Sequence, residues 1–245
     1  MFTQSEIEKI VFFDLETASN LQSLPELEKS SPNLAKLWLK RSEYLKSRFE
    51  ENRDKDPNTL YLEKAALSPE FARIVCASFG RVTFDKVTNV PTMNIKSFCS
   101  EDEKVILNGI VAVIDKFSGK FKFAGHNIKR FDVPMMCKRL LINNYSLPAG
   151  LQVQNLKPWE MPFIDSSELW SFGAWQEGFT SLDLLSTVLE IPTPKDDIEG
   201  SEVGEVFWIE KNFPRISKYC EKDVFTVAQV LLKISKLPEL EKYES

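Results

Sequence analysis

Val11-Phe12-Phe13-Asp14-Leu15-Glu16-Thr17 lies close to the start of the chain and sets how the rest is read. Its apolar, β-prone lead-in predicts a buried strand. Alternate residues of a strand share a face, so Asp14 and Glu16 point one way and Phe13 and Leu15 the other. Two carboxylates about 6–7 Å apart on a central strand are costly to bury unpaired. A divalent cation removes that cost. The same residues also fit a strand that has reached the surface with two solvated acids at its end, so the rest of the chain must decide.

A chain of 245 residues can bury a sizeable core as one large domain or as a domain with an insertion. Apolar content of 43% and charged content of 27% are ordinary for a globular protein, which leaves the function to be read from motifs. No segment approaches the roughly 18 apolar residues of a membrane span, and no basic-then-apolar leader opens the chain. A cytoplasmic protein with no membrane association is expected. Cys76, Cys99, Cys137 and Cys220 lie in apolar stretches without Cys-x-x-Cys spacing, which predicts buried free thiols rather than a zinc site or disulfides. A single histidine, His126, excludes His-rich metal sites and argues against a hydrolase triad. The net charge of −5 argues against broad coating of nucleic acid but is compatible with gripping a few nucleotides at one end.

Residues 19–70 read as a helical insertion between two strands. Ser31-Pro32 starts a helix with Leu34, Leu37, Trp38, Arg41, Leu45 and Phe49 on one face, and a shorter helix follows through Leu60–Leu67. The insertion either overhangs the site or is a packed helix pair with solvated charges. Arg73–Phe84 and Ile95–Cys99 read as an antiparallel strand pair. Ser100-Glu101-Asp102-Glu103 reads as a capping box opening a helix with the stripe Ile106, Ile110, Val113, Ile114 and Phe117. Phe121–Ala124 is a short strand leading into Gly125-His126-Asn127, and a helix runs from Asp132 to about Asn143. Residues 164–170 are ambiguous between strand and turn, and Thr180-Ser181-Leu182-Asp183 caps a further helix. The last helix spans about Phe213 to Lys236, striped by Ile216, Cys220, Val224, Val227, Leu231 and Ile234. Strands first, then helix–strand–helix alternation, predict an α/β sandwich on one mixed sheet.

Two further acids match the opening pair. Asn127-Ile128-Lys129-Arg130-Phe131-Asp132 lies where a strand ends and a helix begins, a place where α/β folds build sites. Asp132 could equally be a helix N-cap and Asn127 a turn residue. Tyr219 and Asp223, four apart on the last helix, stack on one face beside its apolar stripe. Each alone reads as a rim aromatic and a solvated acid.

In order, Phe13-Asp14-Leu15-Glu16-Thr17, Asn127-x-x-x-Phe131-Asp132 and Tyr219-x-x-x-Asp223 resemble the three motifs of DEDD-type 3′–5′ exonucleases, which have a ribonuclease-H-like fold. The tyrosine variant is indicated, because the histidine variant carries His five residues before the last Asp, where this chain has Lys218. The stretches Ser181–Leu185, Pro194–Asp197 and Tyr219–Asp223 look like the exonuclease domain of family B DNA polymerases, and most like free-standing bacterial exonucleases related to it. The resemblance covers roughly residues 8–18 and 71–236; the insertion lies outside it.

That resemblance implies an α/β, three-layer fold with a mixed central sheet flanked by helices, forming a single domain over 1–245 with a helical insertion at about 19–70. It implies a two-metal-ion enzyme releasing nucleoside 5′-monophosphates from the 3′ ends of single-stranded DNA, in preference to RNA. Two Mg²⁺ are implied, with Mn²⁺ able to substitute. Asp14, Glu16, Asp132 and Asp223 are the implied metal ligands, and Tyr219 the residue orienting the attacking water. The backbone at Leu15 and Thr17 is implied to hold the terminal 3′-hydroxyl, with Leu15 packing on the last base. Asn127 and Phe131 belong to the substrate-binding set. The rival readings are an exoribonuclease acting on short RNA and a catalytically silent nucleic-acid-binding relative.

Overall fold

The computed structural model describes residues 1–174, 180–191 and 197–244. A one-turn helix, α1 (Gln4–Ile7), feeds β1 (Ile10–Ser19). The insertion follows as α2 (Leu24–Ser30), α3 (Pro32–Arg48) and α4 (Pro57–Lys64). Next come β2 (Ala72–Phe84), β3 (Pro91–Cys99), α5 (Glu103–Phe117), β4 (Lys122–Gly125) and α6 (Asp132–Ile142). The chain continues through β5 (Phe163–Asp165), α7 (Ser166–Ser171), α8 (Leu182–Val188), α9 (Val203–Glu205), α10 (Phe213–Ile234) and β6 (Tyr243–Glu244). The expected α/β architecture is found.

The six strands form one sheet in the order β5-β4-β1-β2-β3-β6. β2 runs antiparallel to both β1 and β3, while β4 runs parallel to β1 and β5 parallel to β4. β1 is therefore interior, with strands on both sides, and a packed core covers each of its faces, which is why its sequence is apolar on both faces up to Phe13. Alternation then sends side chains to two separate cores. Phe13 and Leu15 pack with Phe79, Phe123 and Met136 under α5 and α6. Phe12 packs with Val82, Ile95, Val224 and Leu231 under α10.

α10 is set by local chemistry at its start. The Asn212 side chain accepts a hydrogen bond from the Arg215 amide, and Pro214 occupies the first turn, where no amide hydrogen is needed. Its buried line Ile216, Cys220, Val224, Val227 and Leu231 lies along the sheet, each aliphatic member contributing about 1.5–3 kcal/mol. The helix comes close enough that a Cβ on Gly80 of β2 would lie 2.9 Å from Val224.

Several local expectations are corrected. Ser100 does not head a capping box: Asp102 is the N-cap, its side chain accepting from the Lys104 amide. Glu103 instead turns inward, accepting from the Ile74 amide and from Arg139 of α6. That buried pair clamps α5, α6 and β2 together. β3 begins at Pro91, not Ile95, and residues 163–171 resolve into a strand followed by a helix. In the insertion the buried line of α3 is Ala35, Trp38, Ser42 and Leu45, a spacing of three and four residues, whereas Leu37 and Phe49 face solvent. Trp38 stacks edge-on against Tyr61 and Phe71, giving the insertion its own small core.

Candidate active site

Asp14 and Glu16 occupy the stretch of β1 just past its last apolar pair, on the face toward α10. Glu16 is only 8% exposed and Asp14 half-buried, so the solvated-strand-end reading does not hold. At Glu16–Thr17 the pairing with β2 slips by one residue, which bends the strand at the acids. Thr17 is tied down by its hydroxyl, which donates to the Ala66 carbonyl at 2.9 Å.

Asp132 comes from the other side. Its backbone opens α6, but Phe131 holds the N-cap position, and the Asp132 carboxylate reaches across to accept from the Leu15 amide at 3.1 Å. The loop before it is built to deliver this carboxylate. Gly125 ends β4 where a Cβ would lie 2.7 Å from the Phe13 carbonyl, so only glycine lets the chain turn there. Asn127 then takes the left-handed conformation at φ 58°, which Asn tolerates better than most residues, and its carbonyl accepts from Arg130 and Phe131. The buried Asp165 carboxylate accepts from the amides of Asn127, Lys129 and Ser167 at 2.8–3.1 Å. Lys129 is held by Glu168 at 2.7 Å.

α10 supplies the third side. The Cys220 thiol donates to the Asp14 backbone carbonyl and side chain, at 3.4 Å each. Ligand-capable atoms of Asp14, Glu16 and Cys220 all lie within 4.8 Å of one another. Asp223, one turn on from Tyr219, is near enough to act electrostatically on Asp14, Glu16 and Asp132. The Tyr219 hydroxyl would lie 3.6 Å from a Cβ on Gly200. The neighbouring Glu221 is separate, accepting from Ser97 and Ser217.

The electrostatics are one-sided. Burial, then the Glu16, Asp223 and Asp132 charges, hold the Asp14 carboxyl well above its ordinary range. Burial, then Asp223 and Asp132, do the same to Glu16. Burial pushes Asp132 up to about 7, against the hydrogen bonds from its own amide and that of Leu15. Crowded acids that resist ionising are what a multivalent cation would relieve, and their carboxylate oxygens would suit Mg²⁺ or Mn²⁺.

Other expected residues fall differently. Leu15 does not offer a face to a base: its side chain is 5% exposed within the core beneath α5 and α6, and its amide is taken by Asp132. Phe131 is half-buried at the head of α6. Of the matched loop, residues 194–196 lie outside the described residues; Asp197 pairs with Arg215. Sequence reasoning missed Asp165, whose role depends on amides 36 to 38 residues away. It also missed that Cys76, Cys99 and Cys220 adjoin one another: Cys76 faces Cys99 across β2–β3, and Cys220 interacts with Cys76.

Residues 66–241 match the family described as "Predicted 3′–5′ exonuclease related to the exonuclease domain of PolB". The chain belongs to that family. The match includes Asp132, Tyr219 and Asp223, whereas β1 with Asp14 and Glu16 precedes it. No curated protein matches the sequence significantly. Among solved structures, the family B DNA polymerase of the hyperthermophilic archaeon Pyrobaculum calidifontis is similar at 14% identity and a TM-score of 0.48. The alignment covers 93% of this chain and 24% of the polymerase, so the chain spans about a quarter of that protein's length. Among the described residues, no helix is long and apolar enough to cross a membrane.

Proposed function

We propose that this family member is a metal-dependent 3′–5′ exonuclease acting on single-stranded ends, with DNA preferred over RNA because the family is related to the exonuclease domain of a DNA polymerase. The observation that carries the reading is the meeting of Asp14 and Glu16 from β1 with Asp132 from α6, beside Cys220 and Asp223 of α10.

Asp14, Glu16, Asp132 and Asp223 would hold two Mg²⁺ or Mn²⁺ ions. Bound there, such ions supply an activated water and neutralise charge on the leaving 3′-oxygen. The chain's own groups do the rest. Asp14 is fixed by the Cys220 thiol, and Asp132 by the Leu15 amide, so neither carboxylate has to be oriented when substrate arrives. The Tyr219 hydroxyl orients the attacking water by hydrogen bonding. The turn at Asn127 fixes the second-motif loop through its backbone.

A single-stranded DNA oligomer labelled at its 5′ end, incubated with Mg²⁺ or Mn²⁺, should shorten one nucleotide at a time from its 3′ end and release nucleoside 5′-monophosphates. Internal cuts, or no cleavage with either ion, would refute the proposal. An RNA oligomer of matched sequence, run alongside, measures the preference.

A further inference from the structure

A groove of about 810 Å³ lies between the inserted helix α3 and the start of α6. One wall carries Lys40 and Arg41, the other Arg130 and Lys138; all four are exposed. Among the described residues, the only acid lining it is Glu70, which sits 3.4 Å from Lys138. Lys40, Arg41 and Arg130 form no salt bridge among the described residues. In a chain whose net charge is −5, this is a local reversal of sign. Leu37 and Leu67 stand beside these cations with 54% and 58% of their surfaces in solvent.

The groove adjoins the acids at two points. Phe131 of its lining is next to Asp132, and Leu67 is next to Ala66, whose carbonyl holds the Thr17 hydroxyl. We propose that this groove holds the single strand on the 5′ side of its terminal nucleotide. Phosphates lie between the paired cations of the two walls, and bases rest on Leu37, Leu67 and Phe131. This deepens the exonuclease reading and rests on it. It also accounts for the insertion, since α3 builds one wall of the path and the small core under Trp38 holds that wall in place. Cations on both walls, continuous with a site for phosphodiesters, favour a strand over an acidic protein segment or a second copy of the chain.

The test is equilibrium binding, by fluorescence anisotropy, of labelled oligothymidylates of two and of a dozen nucleotides, with Ca²⁺ in place of Mg²⁺. Lys40→Glu/Arg41→Glu should weaken binding of the long strand about tenfold or more and shrink its log–log salt slope by about 1.4, at about 0.7 per phosphate contact. The advantage of the long strand over the short one should fall with it. Arg130→Gln/Lys138→Gln, on the facing wall, should act in the same direction. Lys120→Glu/Lys122→Glu reverses the same charge at the far end of β4, level with Ile10, and serves as the control for net charge. Unchanged affinity in both wall variants, or an equal loss in the control, would overturn the proposal. So would a change of oligomeric state at constant affinity, which would give the groove to a second copy. Cleavage by the wild-type chain in Mg²⁺ is read separately. A chain that grips the strand through these cations and never cuts it would refute the nuclease reading while leaving the groove.

Discussion

The amide of Leu15 donates a hydrogen bond to the carboxylate of Asp132, 117 residues away, at 3.1 Å. This bond joins the central strand to the head of α6 and brings a third acid to the Asp14–Glu16 pair. It separates geometry from charge. Asp132→Asn keeps an oxygen for the Leu15 amide but removes the negative charge, whereas Asp132→Ala removes both. Without metal at pH 8, Asp132→Asn should match or exceed the wild type in melting temperature while cleaving DNA at least about a hundredfold more slowly. Asp132→Ala should lose stability as well, by about 1–3 kcal/mol, through the orphaned buried amide. Thermal unfolding in EDTA and single-strand digestion in Mg²⁺ measure the two effects.

Metal-free protein should lose stability as the pH rises. Asp132 ionises near 3.8 in an open chain and near 7 in the folded one, so between those values the native state binds more protons than the unfolded state. Its stabilisation is therefore complete below about pH 4 and lost by about pH 7, a difference on the order of 4 kcal/mol. Asp14 and Glu16, raised for the same reasons, add to the loss in the same direction. A divalent ion should reverse it. Melting curves in EDTA and in excess Mn²⁺ should diverge as the pH rises from 5 to 8; parallel curves would contradict this.

Asp165 is a positioning residue. Its carboxylate accepts three backbone amides and holds the loop from Asn127 to Lys129, leaving Asp132 correctly placed. Asp165→Ala should cost about 2–4 kcal/mol, because three amides lose a charged acceptor. Hydrogen exchange should rise at Asn127 and Lys129 before it rises in β2. Exchange unchanged at those amides would show that the loop is held some other way.

The thiols beside the site should be inert. The hydrogen bond with Cys220 raises Cys76, that with Cys76 raises Cys99, and burial raises Cys220; burial pushes Cys137 up to about 11. Thiolates are the reactive form, so an aromatic disulfide reagent at pH 8 should label none of the four in the time that the unfolded chain releases all of them. Rapid labelling of the native protein would contradict the packing around Cys76 and Cys220.

Much of this was legible in the sequence, for physical reasons. The alternation at Phe12–Glu16, the apolar line of α10 and the break at Gly125–Asn127 are local signals, and they placed the sheet, the last helix and the second-motif loop. What failed depended on distant partners. Glu103 looked like a cap because Arg139 lies 36 residues away and only the fold turns the acid inward. Leu15 looked available because nothing local shows that α5 and α6 cover it. Leu37 shares a predicted face with Trp38 and Leu45 because its spacing nearly fits the buried line of α3, yet it borders the groove by Phe131.

The central claim, that the gathered acids hold divalent cations, is tested most directly by titrating Mn²⁺ into the metal-free protein by calorimetry. Two ions should bind per wild-type chain. Asp14→Ala, still folded by circular dichroism, should lose at least one of them together with cleavage. A wild-type chain that binds no Mn²⁺, or an Asp14→Ala chain that binds it undiminished, would contradict the account.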